Sequence, residues 1–260
     1  MTRPATTSLL RRLVWLRGVL LPIATALLCL LAWHLVVAYG NIPPVILPPP
    51  KAVWLILSNN MPLLLQHAWP TFVESLLGFA IATALGIVLA VAITYSRLLR
   101  EAIYPHLVIF QLIPKVALAP LFIVWLGIGA PSRLAFATFI SFFPLVVATS
   151  QGLSEVPSDM LRLANSLSAT RWQVFRTIRF PYALPHIFAG MKIAVTMSMI
   201  GVIVGEFITA QRGLGYLILF AGAQAETALI LAAVALLCAI GLAQFAMVAL
   251  LERVVRRIYG

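Results

Sequence analysis

Six long stretches of almost uninterrupted apolar residues dominate this chain of 260 residues. A helix needs roughly 20 apolar residues to cross a bilayer core about 30 Å thick. Because lipid cannot hydrogen-bond to free backbone groups, each stretch is expected to cross as an α-helix. The sequence therefore predicts an all-α membrane protein with six transmembrane helices, over residues 18–39, 69–95, 104–126, 132–152, 183–208 and 226–250.

The composition argues against a water-soluble fold and against a nucleic-acid partner. Of the residues, 62% are hydrophobic and 10% are charged, and the mean hydropathy is +1.05, far above ordinary soluble domains. In a soluble protein the net charge of +11 would suggest nucleic-acid binding. Here the arginines cluster in short segments between apolar runs, which is the pattern that orients a membrane protein.

The basic residues also predict which side of the membrane each connection occupies. Alternate connections hold very different numbers of them, and one set contains only Lys51, Arg133 and Arg212. Positive charges are retained on the cytoplasmic side, so both termini are predicted to be cytoplasmic. The segments assigned to that side hold Arg3, Arg11, Arg12, Arg17, Arg97, Arg100, Arg162, Arg171, Arg176, Arg179, Arg253, Arg256 and Arg257.

The first apolar run could instead be a secretory signal peptide, since basic residues precede it. It is longer than a signal-peptide core and lacks a clear A-x-A cleavage site, which favours a retained helix. Closely spaced prolines over residues 41–50 favour an extended outside segment, and residues 51–58 are expected to form a short interfacial helix. Two cysteines within apolar runs and four scattered histidines predict neither a disulfide framework nor a metal site.

The longest polar interruption, residues 153–182, is predicted to form two short helices. Ser154 is placed to cap the first, with Pro157 in its first turn. The second begins with a capping-box pattern at Thr170 and Gln173 and is expected to end before Pro181. The first helix carries Met160, Leu163, Ala164 and Leu167 at helical spacing, and the second carries Trp172, Phe175 and Ile178 opposite Arg171, Arg176 and Arg179.

Amphipathicity alone leaves two interpretations of this segment open. It is either an amphipathic hairpin whose arginines face anionic lipid, or a surface that binds another protein. A further pattern favours the second interpretation. Arg162-Leu163-Ala164, Ser168, Ile178 and Phe180-Pro181 keep the spacing of a known loop signature: Glu-Ala-Ala, three residues, Gly, nine residues, Ile, one residue, Leu-Pro.

With residues 113–129, 201–207 and 212–215, this loop resembles the permease subunits of bacterial binding-protein-dependent ABC importers of the nitrate, sulfonate and taurine type. The resemblance covers about residues 47–252. Arg162 replaces the family's acid, Ser168 its glycine and Phe180 its leucine.

The resemblance implies a type I ABC importer permease fold in a bacterial inner membrane, with three parts. These are an N-terminal part with the first helix (1–67), a transmembrane domain with a cytoplasmic coupling loop (68–252, loop 153–182) and a cytoplasmic tail (253–260). It implies a homodimer that works with separate ABC ATPase subunits and an external or periplasmic substrate-binding protein. The residues it predicts to couple to the ATPase are Asp159, Arg162, Leu163, Ala164, Ser168, Ala169, Arg171, Trp172, Phe175, Ile178 and Pro181.

The lysines support a separate ATPase independently of the resemblance. There are three of them, Lys51, Lys115 and Lys192, and none follows the glycine of a Gly-Lys-Ser/Thr phosphate loop. ATP is therefore expected in a partner chain, with no cofactor in this one. We find no paired catalytic carboxylates or nucleophile arrangement, so no enzymatic activity is predicted.

Ionisable residues within predicted spans are candidates for the translocation path, because a charge there is costly unless it meets a partner or water. Glu74, Lys115 and Glu206 are such candidates. Lys115 lies between Pro114 and Pro120, where the helix must break or kink. Lys115 either gives the path a positive potential for an anion or forms a structural ion pair with Glu74 or Glu206.

Glu206, Lys192 and two glycines in the spans also have predicted contacts. Glu206 is expected either to pair with Arg212 or to shape an outer gate, while Lys192 is expected to snorkel to the cytoplasmic surface. Gly201 and Gly205 permit close helix approach, either at a dimer seam or within one subunit.

A self-sufficient channel or proton-coupled carrier is the rival functional hypothesis, since it would need no ATPase. For an importer, the cargo stays open among sulfonates, taurine, nitrate and pyrimidine-type vitamin precursors, because the external receptor selects it.

Overall fold

The computed structural model describes the backbone of residues 6–209 and 211–259, and the side chains of residues 20–209 and 211–259. Arg3 and the side chains of Arg11, Arg12 and Arg17 lie outside these described parts. Every regular element in the described residues is a helix. The elements are α1 (Thr6–Tyr39), α2 (Pro50–Asn59), α3 (Met61–Tyr95), α4 (Arg97–Leu112), α5 (Ala119–Leu126), α6 (Ala130–Ser154), α7 (Ser158–Ser166), α8 (Arg171–Val174), α9 (Phe180–Thr209), α10 (Leu214–Ala223) and α11 (Thr227–Tyr259).

Long apolar helices confirm the predicted membrane fold. Within the described residues, five continuous helices are long and apolar enough to cross a bilayer, and the number is six if a bent helix pair crosses as one broken span. The bounds agree with the predicted ones to within several residues, except that α1 and α3 start earlier, at Thr6 and Met61, and α11 continues to Tyr259. The short helix predicted at residues 51–58 is α2.

The third predicted span, 104–126, is broken near Lys115, as expected from Pro114 and Pro120 on either side of it. Helices α4 and α5 are bent by 95° at a break that contains a 3₁₀ turn, Lys115–Leu118. Pro114 lacks the amide that would continue the helix, and its ring restricts Ile113 to an extended conformation. Gly127 then ends α5 with φ at +79°, a conformation that glycine adopts without a steric penalty.

The first of two compact units contains residues 1–61 and 221–232. None of the described apolar side chains of helix α1 is buried, as expected for a helix that faces lipid or another protein. The predicted extended segment before α2 contains a turn, in which Pro43 O accepts hydrogen bonds from the amides of Ile46 and Leu47. Trp33 Nε1 also donates to Pro48 O at 3.1 Å.

The second unit contains residues 62–220 and 233–260, and the pair α6 and α9 forms its centre. The two helices approach closely at their glycines. A Cβ atom on Gly201 would lie 2.7 Å from Ala137 Cα, and one on Gly205 would lie 2.8 Å from Arg133 Cγ. Gly201 and Gly205 therefore serve packing within one chain rather than a dimer seam.

A buried core joins α3, α6, α9 and α11 in this unit. Phe79, Leu145, Phe188 and Val248 contribute one side chain from each helix. Buried polar contacts join three of these helices, α3, α9 and α11, since Ser198 Oγ donates to Ser75 O at 2.7 Å. Gln244 Nε2 from α11 donates to Ser75 Oγ at 2.8 Å.

Candidate coupling site and transport path

The coupling segment begins where α6 ends. Ser154 is the last residue of α6, so its predicted role as the cap of the next helix is wrong. The chain turns at Glu155 and Val156, and α7 starts at Ser158 after Pro157. Because proline fixes its own φ and lacks an amide, Pro157 is suited to a helix start.

Helix α7 ends in a tight turn at Ser168, as predicted. The amide of Ala169 donates to Ala164 O, and that of Ser168 donates to Asn165 O, each at 3.0 Å. These are the two bonds of a Schellman motif, which places its C′ residue in the left-handed region. Ser168 occupies that position with φ at +54°. The glycine of the related loop signature thus coincides with the residue that needs a left-handed conformation.

The second coupling helix begins as predicted but does not end as predicted. Thr170 Oγ1 accepts from the Gln173 amide at 3.3 Å, and Gln173 Oε1 accepts from the Thr170 amide at 2.7 Å, which completes the capping box. Helix α8 then passes through a π-helical segment, Phe175–Arg179, directly into α9. Pro181 and Pro185 lie inside this continuous helix, so their predicted role as helix stops is wrong.

The π segment explains how the helix tolerates Pro181. Its wider hydrogen bonds join each carbonyl to the fifth following amide, as in the bond from the Phe180 amide to Phe175 O. This register ends immediately before the proline, which has no amide to donate. The coupling segment is therefore mechanically continuous with a membrane helix.

Apolar side chains are exposed on the coupling segment. Met160, Leu163 and Leu167 lie along one side of α7 and are 49%, 63% and 74% exposed, and Trp172 on α8 is 66% exposed. Ala164 is buried. We call the four exposed side chains the apolar ridge.

Aromatic contacts hold the ridge against the membrane helices. Trp172 stacks on Phe175 with ring centroids 5.6 Å apart, and Phe175 meets Tyr95 at the end of α3 at 6.0 Å. Phe180 links Phe175 to Tyr259 of α11 at 5.9 and 5.8 Å. Phe175 and Ile178 are half-buried and support the ridge from beneath.

The charge at Arg162 is balanced within α7. Arg162 Nη2 lies 2.5 Å from Asp159 Oδ1, and both side chains are largely exposed. The cation that replaces the family's acid is therefore half of an exposed ion pair, which a partner can contact as a unit. Such pairs contribute little to stability in water.

The intramembrane carboxylate Glu74 pairs with Arg133, a residue predicted from the sequence to lie in an outside segment. Arg133, in the first part of α6, donates from Nε and Nη2 to the two Glu74 oxygens at 2.7 and 2.6 Å. Both side chains are only 12% exposed. Gly205 leaves room for the arginine stem. Of the alternatives considered for Lys115, an ion pair with Glu74 is therefore not formed among the described side chains.

Both carboxylate oxygens of Glu206 also accept hydrogen bonds, but from α3 and from the loop before α10 rather than from Arg212. Its oxygens accept from Thr71 Oγ1 at 2.6 Å and from the Gly215 amide at 2.7 Å, and the residue is 1% exposed. Thr71 Oγ1 accepts from the Leu214 amide at 3.0 Å, and His67 Nδ1 accepts from the Gly213 amide at 3.2 Å. Three successive amides at the start of α10 are thus bound by side chains, an arrangement we call the loop clamp.

The two intramembrane lysines differ in their surroundings. Lys192 pairs with Glu252 of α11 at 2.5 Å, and its side chain is 29% exposed. Lys115, in the break between α4 and α5, has no carboxylate within ion-pair distance among the described side chains. Its Nζ lies 3.5 Å from Gln111 O and 5.8 Å from the Phe143 ring centre.

Comparison with known proteins identifies the family. A family model described as the binding-protein-dependent transport system inner membrane component matches residues 82–258. The chain belongs to this family. It is accordingly a type I ABC importer permease, and the hypothesis of a self-sufficient transporter is not favoured.

Individual relatives cover most of this permease. A probable ABC transporter permease protein of Haemophilus influenzae is 35% identical over 82% of this chain and 87% of its own. The riboflavin transport system permease protein of Chloroflexus aurantiacus is 35% identical over 90% and 88%. The taurine transport system permease protein of Escherichia coli is 31% identical over 88% of each chain.

A solved structure confirms the fold. A chain from an inward-facing form of the MetNI methionine ABC transporter aligns with a TM-score of 0.60, covering 73% of this permease and 96% of that chain. At 20% identity, this likeness concerns the fold alone.

Proposed function

We propose that this permease forms the translocation path for a small anionic or heterocyclic solute, and that loop 153–182 docks a separate ATPase subunit. The apolar ridge carries the proposal. Four large apolar side chains stand exposed on a segment otherwise rich in charged and polar residues. An exposed apolar cluster rimmed by polar groups is typical of a protein interface.

The energetics of the ridge suit a docking surface. Burial of one leucine side chain contributes roughly 1.5–3 kcal/mol, and a partner that covers Leu163, Leu167 and Met160 would gain several such terms. Trp172 adds a large aromatic side chain, the type most enriched among residues that dominate binding energy. Because α8 runs into α9, force applied at the ridge is transmitted to a membrane helix.

The remaining partners follow from the family. We infer that an external binding protein delivers the solute, that the functional unit contains a second copy of this permease and that ATP is hydrolysed in the partner rather than in this chain. The arginine distribution supports cytoplasmic termini. The names of the relatives, which include riboflavin and taurine permeases, support a heterocyclic or anionic cargo.

Replacement of Leu163 by glutamine tests the docking surface. Leu163→Gln should weaken copurification with the cognate ATPase about tenfold, because it removes apolar area at the centre of the ridge. Uptake should fall in parallel. Ser166→Gln is the matched control, since it introduces the same side chain at an exposed position of the same helix outside the ridge.

Equal ATPase binding by Leu163→Gln and Ser166→Gln would contradict docking at the ridge. Thermal unfolding of both variants in the absence of the ATPase separates a loss of docking from a loss of folding. Both side chains are exposed, so neither variant is expected to unfold early.

A further inference from the structure

A polar cleft lies beside the apolar ridge, between the end of α3 and the coupling helices. Its volume is about 310 Å³. Thr94 and Tyr95 line it from α3, Asn165 from α7, and Arg171 and Arg179 from the second coupling segment. It differs from the other grooves of the second unit described here, which apolar side chains line almost entirely.

The cleft carries two positive charges without a described counter-charge. The lining contains no acidic residue. Neither Arg171 nor Arg179 has a carboxylate within ion-pair distance among the described side chains, whereas Arg133, Arg162 and Arg256 each have one. A guanidinium at a partly enclosed site without an acid attracts an anion from solution.

Arg179 is held in place before any ligand arrives. Its Nη1 donates to Leu153 O at 2.7 Å, and its Cζ lies 5.8 Å from the centre of the Tyr95 ring. A guanidinium has five N–H donors, so several remain available beside this bond. Arg171 directly follows the capping residue Thr170, and its exposed side chain lines the same cleft, where it can bind the same anion.

We propose that this cleft binds a phosphate group, held by Arg171 and Arg179 with the hydroxyl group of Tyr95 as a further donor. The planar fork of arginine matches the geometry of phosphate oxygens. The volume of the cleft lies at the lower end of the range typical of small-molecule sites, roughly 300–1,000 Å³. The cleft is therefore large enough for a group bigger than a single side-chain carboxylate.

A bound phosphate would connect α3 to both coupling helices and fix the orientation of the ridge. The group comes either from an anionic lipid headgroup or from a free phosphate compound. The inference goes beyond the proposed ATPase docking, because it concerns the permease by itself.

Binding measurements on the full-length permease without ATPase test the proposal. In phosphatidylcholine nanodiscs, the probe is ³²P-labelled inorganic phosphate; in detergent, it is phosphatidylglycerol retention against phosphatidylcholine, measured by native mass spectrometry. Arg171→Gln should weaken at least one of the two interactions about tenfold, as expected for loss of a charged hydrogen bond. Arg176→Gln is the matched control, because Arg176 is exposed on the same segment and does not line the cleft.

The two arms identify the source of the phosphate. A loss confined to inorganic phosphate assigns a free compound, and a loss confined to phosphatidylglycerol assigns a lipid headgroup. Tyr95→Phe should weaken the same interaction by a smaller factor. Arg179→Gln also removes the bond to Leu153, so its binding is compared only after its thermal unfolding is measured.

Three results would overturn the proposal. One is that neither probe binds the unaltered permease, and another is an equal loss in Arg171→Gln and Arg176→Gln, which would reflect general surface charge. The third is that Arg171→Gln weakens only ATPase copurification, which would assign the cleft to an acidic side chain of the ATPase. None of them bears on Leu163, so docking at the ridge is judged separately.

Discussion

At the scale of single residues, Glu206 controls the conformation of the loop before α10. Its carboxylate accepts hydrogen bonds from Thr71 and Gly215 in a buried site. A Cβ atom on Gly213 would overlap the same carboxylate, which explains a glycine with φ at +119° at this position. The loop clamp thus requires both the acid and the glycine.

Glu206→Ala should release the loop clamp. The Gly215 amide and the Thr71 hydroxyl would lose their acceptor, and one buried polar group left unsatisfied costs about 1–3 kcal/mol. We expect a lower unfolding temperature and faster tryptic cleavage after Arg212, which is exposed in the clamped loop. Mass spectrometry of the fragments measures that cleavage.

Glu226→Ala is the control for this experiment, because Glu226 is exposed. It should leave the unfolding temperature and the cleavage after Arg212 unchanged. If Glu206→Ala were as resistant to trypsin as the unaltered permease, the carboxylate would not be what holds the loop.

The sequence indicated which intramembrane acids matter but not what they contact. The cost of burying a charge made Glu74 and Glu206 candidates. Glu74 pairs with Arg133, which is 59 residues away in the sequence, and Glu206 accepts from the backbone amide of Gly215. Neither partner can be recognised from the sequence. Arg133 follows two glycines and a proline, a pattern that assigns it to an outside loop although it lies in α6.

At the scale of elements, the second coupling helix shows why helix ends are hard to predict around proline. The capping box at Thr170 was predictable because both side chains lie three residues apart. The end at Pro181 was not, since a π segment lets the helix pass the proline and continue to Thr209. Hydrogen-bond register, rather than residue identity, decides whether the helix stops.

Pro181→Ala should remove the reason for the π segment. An amide at position 181 can donate to Thr177 O, so an ordinary α-helical register becomes available. An α-helical turn holds about one residue fewer than the π-helical turn. The change of register would therefore rotate the residues before the segment by about 100° relative to α9. We expect ATP-driven uptake to fall several-fold while the unfolding temperature is kept or raised.

Hydrogen exchange over residues 175–181 measures the register change directly. Pro185→Ala is the matched control, because Pro185 lies in the same helix about one turn beyond Pro181 and outside the π segment. Unaltered exchange over 175–181 in Pro181→Ala would show that another contact, such as the Phe175 aromatic packing, maintains the π segment.

At the scale of the whole molecule, composition was sufficient for the class of fold. Apolar runs long enough to cross a bilayer have few alternatives to membrane helices, so six spans could be counted directly. The 95° bend between α4 and α5 could not be derived, because a proline predicts a break without its angle. The packing of α6 on α9 depends on small residues that occur in many membrane helices.

The bend also places a cation, Lys115, where no described carboxylate neutralises it, which leads to a prediction for the assembled transporter. Because Lys115 lies at broken backbone and has no carboxylate partner among the described residues, its charge is available to a passing anion. Lys115→Met should abolish most uptake of the anionic solute that the external binding protein retains. Assembly with the ATPase and basal ATP hydrolysis should persist, because Lys115 lies outside the coupling loop.

Proteoliposomes that contain the permease, its ATPase and the binding protein provide the measurement. Lys51→Met is the control, since Lys51 is an exposed lysine of α2 outside the break. Lys115→Arg should retain more uptake than Lys115→Met, because it keeps the charge. Normal uptake by Lys115→Met, or retention of an uncharged solute by the binding protein, would contradict an anion path through the bend, whereas loss of assembly would assign Lys115 a structural role.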